Sequence, residues 1–346
     1  SSSFSFFSKL SYSSTGVSII PFESFADTTE FKVLETPLRG GSSDASLSVS
    51  IEYEDWREME DLQEDSSKMI LEMIGIKDAD VDFPLLHLNF RPCCFISNAE
   101  TDTQAWIWWN NVAQEIVVAF RGTEQTQWKD LLTDVKVMPT TLNAEGVTTM
   151  NLFANNSEVM VHNGFLTAYQ SVRNVIFSQI KGIVTADENH WSIYVTGHSL
   201  GGALATLFAY ECSKAELGDV EVVMYNYGSP RVGNKAFAEE FKAKVDSSWR
   251  FSNVSDIIPT VPRFLGYQHV ETSARIQEDG NIQIAVDKDV IGEAHFTEFL
   301  PDFDPRSIEA ELLEKEMDLL SALIDGRALQ EHMEDQYLQN LLVLVS

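Results

Sequence analysis

The stretch GHSLGG at residues 197–202 constrains the fold of this chain more than any other feature. It follows a buried strand pattern, Trp191–Thr196, and opens a helical pattern of small residues that runs from Leu200 to about Lys214. A tight turn from strand to helix strains the backbone of its central residue, and glycines two positions before and after that residue prevent clashes of Cβ atoms. The spacing therefore predicts a nucleophile elbow with Ser199 at its tip. The alternative is a glycine-rich turn that only packs a helix on a strand.

Strand and helix patterns alternate from about residue 101 onward. The further strand patterns are Thr103–Trp109, Glu115–Arg121, Glu221–Tyr227 and Trp249–Val254, and the further helix patterns are Gly164–Val184 and Asn234–Val245. Alternation of this kind is typical of an α/β fold in which helices cover both faces of a mostly parallel sheet. The carboxyl ends of such strands are where binding and catalytic residues collect.

The flanks of this region differ from it in composition. The 346-residue chain carries a net charge of −29, and the acidic residues are concentrated in 51–82 and 301–346. We expect a Ser-rich leader or linker over 1–50, an acidic helical extension over 51–100, an α/β domain over 101–305 and acidic helices over 306–346. So acidic a chain repels the phosphates of nucleic acids, which argues against a nucleic-acid partner. No apolar run approaches the 18 residues of a transmembrane helix.

Several further motifs occur along the α/β region. They are VAFRGT at 118–123, Trp128, VHNGF at 161–165, YGSPRVGN at 227–234 and NVSDIIPTVP at 253–262. Together with GHSLGG, and in this order, they resemble the class 3 (fungal-lipase-like) lipase family of the α/β-hydrolase fold over about residues 100–300. The resemblance implies an acyl hydrolase that cleaves fatty-acyl esters of glycerolipids through an acyl-enzyme. Triacylglycerols, phospholipids and galactolipids all stay open as substrates.

A nucleophilic serine needs a histidine to take its proton and a carboxylate to orient that histidine. Asp256 follows the strand pattern that ends at Val254, and the resemblance makes it the acid; the alternative is an Asp that caps a turn. The family's late histidine corresponds to His295, which we therefore predict as the base. His269 is the alternative base, because a single loop could bring either imidazole to Ser199. His332 lies in the acidic C-terminal segment, outside the resemblance, and is not chosen.

The resemblance also implies the parts of the site that surround the triad. Thr123 and Leu200 are expected to supply the backbone N–H groups of an oxyanion hole. Residues 126–135 are expected to form a lid helix with Trp128, Leu131 and Leu132 on its apolar side; the alternative is an ordinary surface helix. No cluster of Cys and His residues has metal-ligand spacing, so neither a metal nor a cofactor is implied.

The expected partner is a glycerolipid at a membrane or lipid-droplet surface, bound peripherally, while the oligomeric state stays open. The negative charge favours neutral or zwitterionic lipids. Three cysteines are too few for a disulfide framework, which indicates an intracellular, reducing compartment. The motifs resemble plant members of the family, some of them plastidic, so a plastid is expected, with the cytoplasm as the alternative. Two other functions stay open: a catalytically silent lipase-like scaffold for binding or signalling, and a soluble carboxylesterase.

Overall fold

The structure is a computed structural model. The described residues are 10–11, 17–21, 85, 88–122, 139–141, 158–185, 189–245, 247–262, 266–270, 272–277, 281–285 and 330–345. Most of the predicted acidic extension, including its helix, lies outside these residues, as do the first of the two predicted C-terminal helices and the lid.

The described residues contain fourteen strands. In chain order they are β1 (Leu10–Ser11), β2 (Val17–Pro21), β3 (Arg91–Asn98), β4 (Thr103–Asn110), β5 (Glu115–Phe120), β6 (Pro139–Thr141), β7 (Met160–His162), β8 (Trp191–His198), β9 (Val220–Tyr227), β10 (Gly233–Asn234), β11 (Ser247–Asn253), β12 (Tyr267–Gln268), β13 (Thr272–Ile276) and β14 (Ile282–Ala285). The described helices are α1 (Asn163–Val184), α2 (Leu200–Cys212), α3 (Lys235–Lys244) and α4 (Glu334–Val345), with a short 3₁₀ turn at Ile258–Thr260.

Ten of these strands form one large sheet in the order β1-β2-β3-β4-β5-β8-β9-β11-β13-β14. Its five central strands, from β5 to β13, pair in parallel and confirm the predicted parallel sheet. Antiparallel strands extend the sheet on both sides. Strands β1 to β3 come from segments assigned to the leader and the acidic extension, so the sheet begins well before the predicted boundary at residue 101.

Helix α2 lies at the centre of the packing. Every residue of α2 except Glu211 is buried, and the helix packs against β5, β8 and β9. A helix that is apolar on all sides needs cover on all sides, and α1 supplies part of it. Between the two helices, the Tyr169 hydroxyl donates to Glu211 Oε2 at 2.5 Å, and Arg173 Nε donates to the same carboxylate at 2.6 Å. No helix within the described ranges is long and apolar enough to cross a membrane.

His162 joins the end of β7 to the start of α1. Its Nδ1 accepts a hydrogen bond from the Phe165 amide at 3.3 Å and so caps the helix. The imidazole stacks on the Phe165 ring with centroids 3.8 Å apart and is fully buried. Burial lowers the pKa of His162 to about 3, so the capping side chain is neutral at physiological pH.

Strand β7 belongs to a smaller sheet with the order β12-β10-β7-β6. Asn234 of the YGSPRVGN motif holds this sheet to α3. Its Oδ1 accepts from the Phe237 amide at 3.0 Å, which caps α3, and from the Met160 amide at 3.1 Å. Its Nδ2 donates to the Glu158 carbonyl at 2.8 Å. One asparagine therefore fixes a helix start and the edge of a neighbouring strand.

Candidate active site

Ser199 lies at the turn between β8 and α2, as the sequence predicts. Its backbone has φ 55° and ψ −123°, a conformation that residues with a side chain seldom adopt. A Cβ atom on Gly197 would lie 2.2 Å from the Gly201 carbonyl oxygen, and one on Gly201 would lie 2.3 Å from the Phe120 carbonyl oxygen. Both positions exclude any side chain, which is the physical reason for the spacing of the glycines around the serine.

The neighbouring strands fix this turn in place. The Ser199 amide donates to the Tyr227 carbonyl of β9 at 2.9 Å. The next residue, Gly228, has φ 59°, and its amide donates to the Phe251 carbonyl of β11. A Cβ atom on Gly228 would lie 3.0 Å from Cε1 of His332. Gly228 thus allows the backbone to turn and leaves room for an imidazole beside Ser199.

That imidazole is His332, and it bridges the serine to an aspartate. His332 Nε2 lies 2.8 Å from Ser199 Oγ, and its Nδ1 lies 2.8 Å from Asp256 Oδ2. Nδ1–H donates a hydrogen bond to the carboxylate, which leaves Nε2 free to accept the serine hydroxyl proton. All three side chains are buried. The arrangement has the connectivity of a Ser–His–Asp triad, which can turn a hydroxyl into a nucleophile.

The structure corrects the predicted base. Only one imidazole can bond to both Ser199 and Asp256, and His332 occupies that place, so the assignment of His295 is replaced by His332. His295 itself lies outside the described residues. The alternative base, His269, points elsewhere: its Nε2 lies 2.6 Å from the Pro259 carbonyl oxygen, and burial, with nearby Arg250 and Arg231, lowers its pKa well below 6.5.

Asp256 accepts two hydrogen bonds besides the one from His332. The Ile258 amide donates to Oδ1 at 2.9 Å, and the Tyr337 hydroxyl donates to Oδ2 at 2.6 Å. Burial and the neighbouring carboxylate raise the pKa of Tyr337 well above 10, so the phenol keeps its proton and stays a donor. Three donors therefore converge on this buried side chain and satisfy its two oxygens.

The same helix that carries Tyr337 is bound to the end of β11. The Asn253 amide donates to the Tyr337 hydroxyl oxygen at 3.1 Å, and Asn340 Nδ2 donates to Asn253 Oδ1 at 2.9 Å. Asn253 Nδ2 in turn donates to the Glu331 carbonyl at 2.8 Å. These contacts dock α4 and the residues just before it, including His332, beside Asp256.

The predicted oxyanion hole is described in part. Leu200 is the first residue of α2, where an amide has no acceptor within its own helix. Thr123 lies outside the described residues, but the residue before it, Gly122, lies against the elbow: a Cβ there would be 2.9 Å from the His198 carbonyl oxygen and 3.6 Å from Ser199 Cβ. The predicted lid residues are also outside the described residues, namely Trp128, Leu131 and Leu132.

Sequence analysis missed two residues of the site, His332 and Tyr337. The order Ser, Asp, His along the chain allows His332 as well as His295. The signal that could have drawn attention to it is the pair formed by His332 and Tyr337, a histidine followed five residues later by an aromatic hydroxyl at the start of a helix. His332 lies outside every motif that resembles the class 3 lipases.

The sequence of this chain is similar to those of known lipases and phospholipases. The sequence model of the family described as Lipase (class 3) matches residues 117–265. This range includes Ser199 and Asp256 and ends before His332. A chloroplastic phospholipase A(1) of Arabidopsis thaliana is 33% identical over 156 residues, 43% of this chain and 34% of that protein. A secreted mono- and diacylglycerol lipase of Fusarium solani is 33% identical over 195 residues, 56% of this chain and 52% of that protein. The chain thus spans about a third to a half of the length of these relatives.

Solved structures resemble the fold. The triacylglyceride lipase of Rhizomucor miehei superimposes with a TM-score of 0.50 and 24% identity over 63% of this chain and 78% of that one. Lipase II of Rhizopus niveus gives the same TM-score, identity and coverage. At this identity the likeness concerns the fold, and it agrees with the α/β-hydrolase architecture predicted from the sequence.

Proposed function

We propose that this chain, whose residues 117–265 match the class 3 lipases, hydrolyses fatty-acyl esters of glycerolipids with Ser199 as nucleophile, His332 as general base and Asp256 as orienting acid. The observation that carries the proposal is the position of His332, with one ring nitrogen 2.8 Å from the serine oxygen and the other 2.8 Å from the carboxylate. A serine is activated when its base and the base's partner are aligned in this way.

The reaction has two halves. Ser199 Oγ attacks the carbonyl carbon of the ester while its proton passes to His332 Nε2, and the negative charge that develops on the carbonyl oxygen is met by backbone N–H groups. The tetrahedral intermediate collapses, the bond to the glycerol oxygen breaks, and His332 returns the proton to that oxygen. Water, deprotonated by His332, then attacks the acyl-enzyme and releases the fatty acid and free Ser199. Asp256 stabilises the imidazolium in both halves.

For the oxyanion hole we retain the amides of Leu200 and Thr123. The first stands at a helix start, next to the nucleophile. The second follows Gly122, whose close approach to the elbow brings the end of β5 to Ser199. A lid formed by 126–135, with Trp128, Leu131 and Leu132 on its apolar side, would give interfacial activation. Activity that jumps when a short-chain ester forms micelles would support the lid, and a smooth concentration curve would contradict it and favour a soluble carboxylesterase.

The substrate is an uncharged or zwitterionic glycerolipid at a surface to which the protein binds peripherally. Two observations support this choice. The relatives are named for phospholipids and for mono- and diacylglycerols, and a net charge of −29 opposes anionic surfaces. The chloroplastic relative makes a plastid the proposed location, with galactolipids among the candidate substrates. Incubation with a mixed lipid extract tests this: loss of fatty acid mainly from anionic lipids would refute the preference.

The catalytic proposal is tested by comparing four variants, Ser199→Ala, His332→Ala, His295→Ala and His269→Ala. Removal of the nucleophile of a triad costs about 10⁶ in kcat, and removal of the base is expected to cost at least about 10³. We expect losses of that size for the first two variants and of less than about tenfold for the last two. The measurements are hydrolysis of a soluble ester and labelling of Ser199 by a fluorophosphonate.

Two results would contradict the proposal. Near-normal turnover by Ser199→Ala would exclude the serine mechanism. A larger loss in His295→Ala than in His332→Ala would return the base to the residue predicted from the sequence. A catalytically silent scaffold predicts neither hydrolysis nor labelling in the unaltered protein, and the aligned contacts of His332 argue against it.

A further inference from the structure

The residue before the nucleophile, His198, contacts the backbone of the segment that brings the general base. His198 Nε2 lies 2.6 Å from the carbonyl oxygen of His332, and the two imidazole rings have centroids 4.6 Å apart. The carbonyl can only accept, so Nε2 carries a proton and donates it. His198 is thus tied through the main chain to the nucleophile on one side, and through this hydrogen bond to the base on the other.

The second ring nitrogen of His198 meets a carboxylate. Nδ1 lies 3.2 Å from Glu334 Oε1, at the first residue of α4. This interaction is the main cause that lowers the pKa of Glu334 to about 2, so the carboxylate is ionised at any physiological pH. Both atoms that face the ring, a carbonyl and a carboxylate, are acceptors. Through its two ring nitrogens His198 contacts both the Glu334 carboxylate and the His332 carbonyl, and it joins the two residues into one unit.

A second hydrogen bond holds the carbonyl of the residue before His332. Asn253 Nδ2 donates to the Glu331 carbonyl at 2.8 Å. The Glu331 carbonyl belongs to the peptide before the Cα of His332, and the His332 carbonyl belongs to the peptide after it. When both peptides are held, the direction of the Cα–Cβ bond between them is fixed. The orientation of the base therefore depends on two side chains that do not touch its imidazole by hydrogen bonds.

We propose that His198, paired with Glu334, is a positioning residue that fixes the backbone of His332 and so aims its Nε2 at Ser199. The proposal rests on the function proposed above. The groups that face His198 are the carboxylate of Glu334, the ring and carbonyl of His332, and the ring of Tyr337, whose centroid lies 5.4 Å from that of the imidazole. A misplaced general base slows the chemical step more than it weakens binding, because proton transfer requires hydrogen-bond distance.

The test compares His198→Phe, which keeps an aromatic ring but no donor, with His198→Gln, which keeps an amide donor near the position of Nε2. The matched control is His190→Phe. His190 Nδ1 forms a comparable ion pair with Asp219 Oδ1 at 3.1 Å, but it is exposed and precedes β8 at the end opposite Ser199. Each protein is assayed with a soluble ester, and rates are divided by the concentration of sites that a fluorophosphonate titrates.

We expect His198→Phe to lower kcat and the rate of labelling by about 30-fold, which corresponds to leaving a buried carbonyl without its donor, with KM changed less than about twofold. His198→Gln should recover most of that loss, and Glu334→Gln should lower kcat by about fivefold because the neutral amide holds the ring less firmly. His190→Phe should match the unaltered protein. A merely structural role would reduce the number of titrated sites and leave kcat per site unchanged, which would overturn the proposal. Equal losses in the Phe and Gln variants would overturn it too.

Amide hydrogen exchange over residues 331–337 separates this proposal from the proposed function. Faster exchange of these amides in His198→Phe than in His190→Phe would support the proposal that His198 fixes this segment. Unchanged exchange would overturn it. If the unaltered protein neither hydrolyses esters nor labels at Ser199, the proposed function fails, and the hold of His198 on this backbone is then judged by the exchange measurement alone.

Discussion

The buried histidine His162 should make the stability of the fold depend on pH. Its pKa is about 3 in the folded chain, and the unfolded chain has the ordinary value of 6.5. The folded pKa is the lower one, so the unfolded state takes up a proton first as the pH falls. The contribution to stability is complete above about pH 6.5 and is lost progressively toward pH 3.

The magnitude follows from the interval between the two pKa values. Each pH unit within it changes the free energy of unfolding by about 1.4 kcal/mol, so the roughly two and a half units down to pH 4 should remove about 3 kcal/mol. This is an appreciable share of the roughly 5–15 kcal/mol that stabilises a typical domain. The size of the effect reflects complete burial of the ring and its stacking on Phe165, which leave a charge no access to water.

His162→Asn isolates this effect. An asparagine is a good N-cap and can still accept from the Phe165 amide, but it does not titrate. Urea unfolding, followed by tryptophan fluorescence at pH 7, 5 and 4, gives the free energy of unfolding of both proteins. We expect the variant to be less stable by about 1–2 kcal/mol at pH 7, because it loses the stacked ring, and at least as stable at pH 4. All carboxylates, and the partly buried His269, are common to both proteins, so their titration cancels in the difference. Parallel pH profiles would refute the reasoning.

Two further predictions use matched pairs of variants. Tyr337→Phe removes a donor from buried Asp256 and should cost about 2–3 kcal/mol in stability and lower kcat by about tenfold. Tyr169→Phe breaks the same type of bond away from the site and should cost stability alone. A normal kcat per titrated site in Tyr337→Phe would contradict this. Gly201→Ala should lower the free energy of unfolding in urea by about 3 kcal/mol or more, because its Cβ would meet a backbone oxygen at 2.3 Å. Gly182→Ala has open space around its Cβ and should raise that free energy by about 1 kcal/mol. Comparable effects in both variants would refute the steric explanation.

The elements around the nucleophile could be predicted because each is specified locally. The strand predicted at Trp191–Thr196 extends to His198, and the helix predicted at Gly164–Val184 begins one residue earlier. Long apolar runs and a glycine-spaced turn need no distant partner to be recognised. The same local logic places Ser199 and Asp256, since both follow strands whose carboxyl ends meet at one edge of the sheet.

The histidine could not be predicted in that way. His332 lies 76 residues after Asp256 in the chain, and its place is set by the docking of α4 through Asn253, Tyr337 and Asn340. The local sequence pattern does not indicate which of the histidines after Asp256 is brought to the serine by the docking of α4. Strand β3 was missed for a related reason: its residues alternate only partly, and its assignment depends on pairing with β4.

At position 199 the residue that would stabilise the fold most differs from the residue that the proposed chemistry needs. A φ of 55° at a residue with a side chain costs about 1–3 kcal/mol, and glycine would adopt it with little cost. A chain optimised for folding alone would therefore carry a third glycine between Gly197 and Gly201, and it would be more stable without its hydroxyl. The serine at this position therefore adds a hydroxyl to the turn at a cost to the stability of the fold.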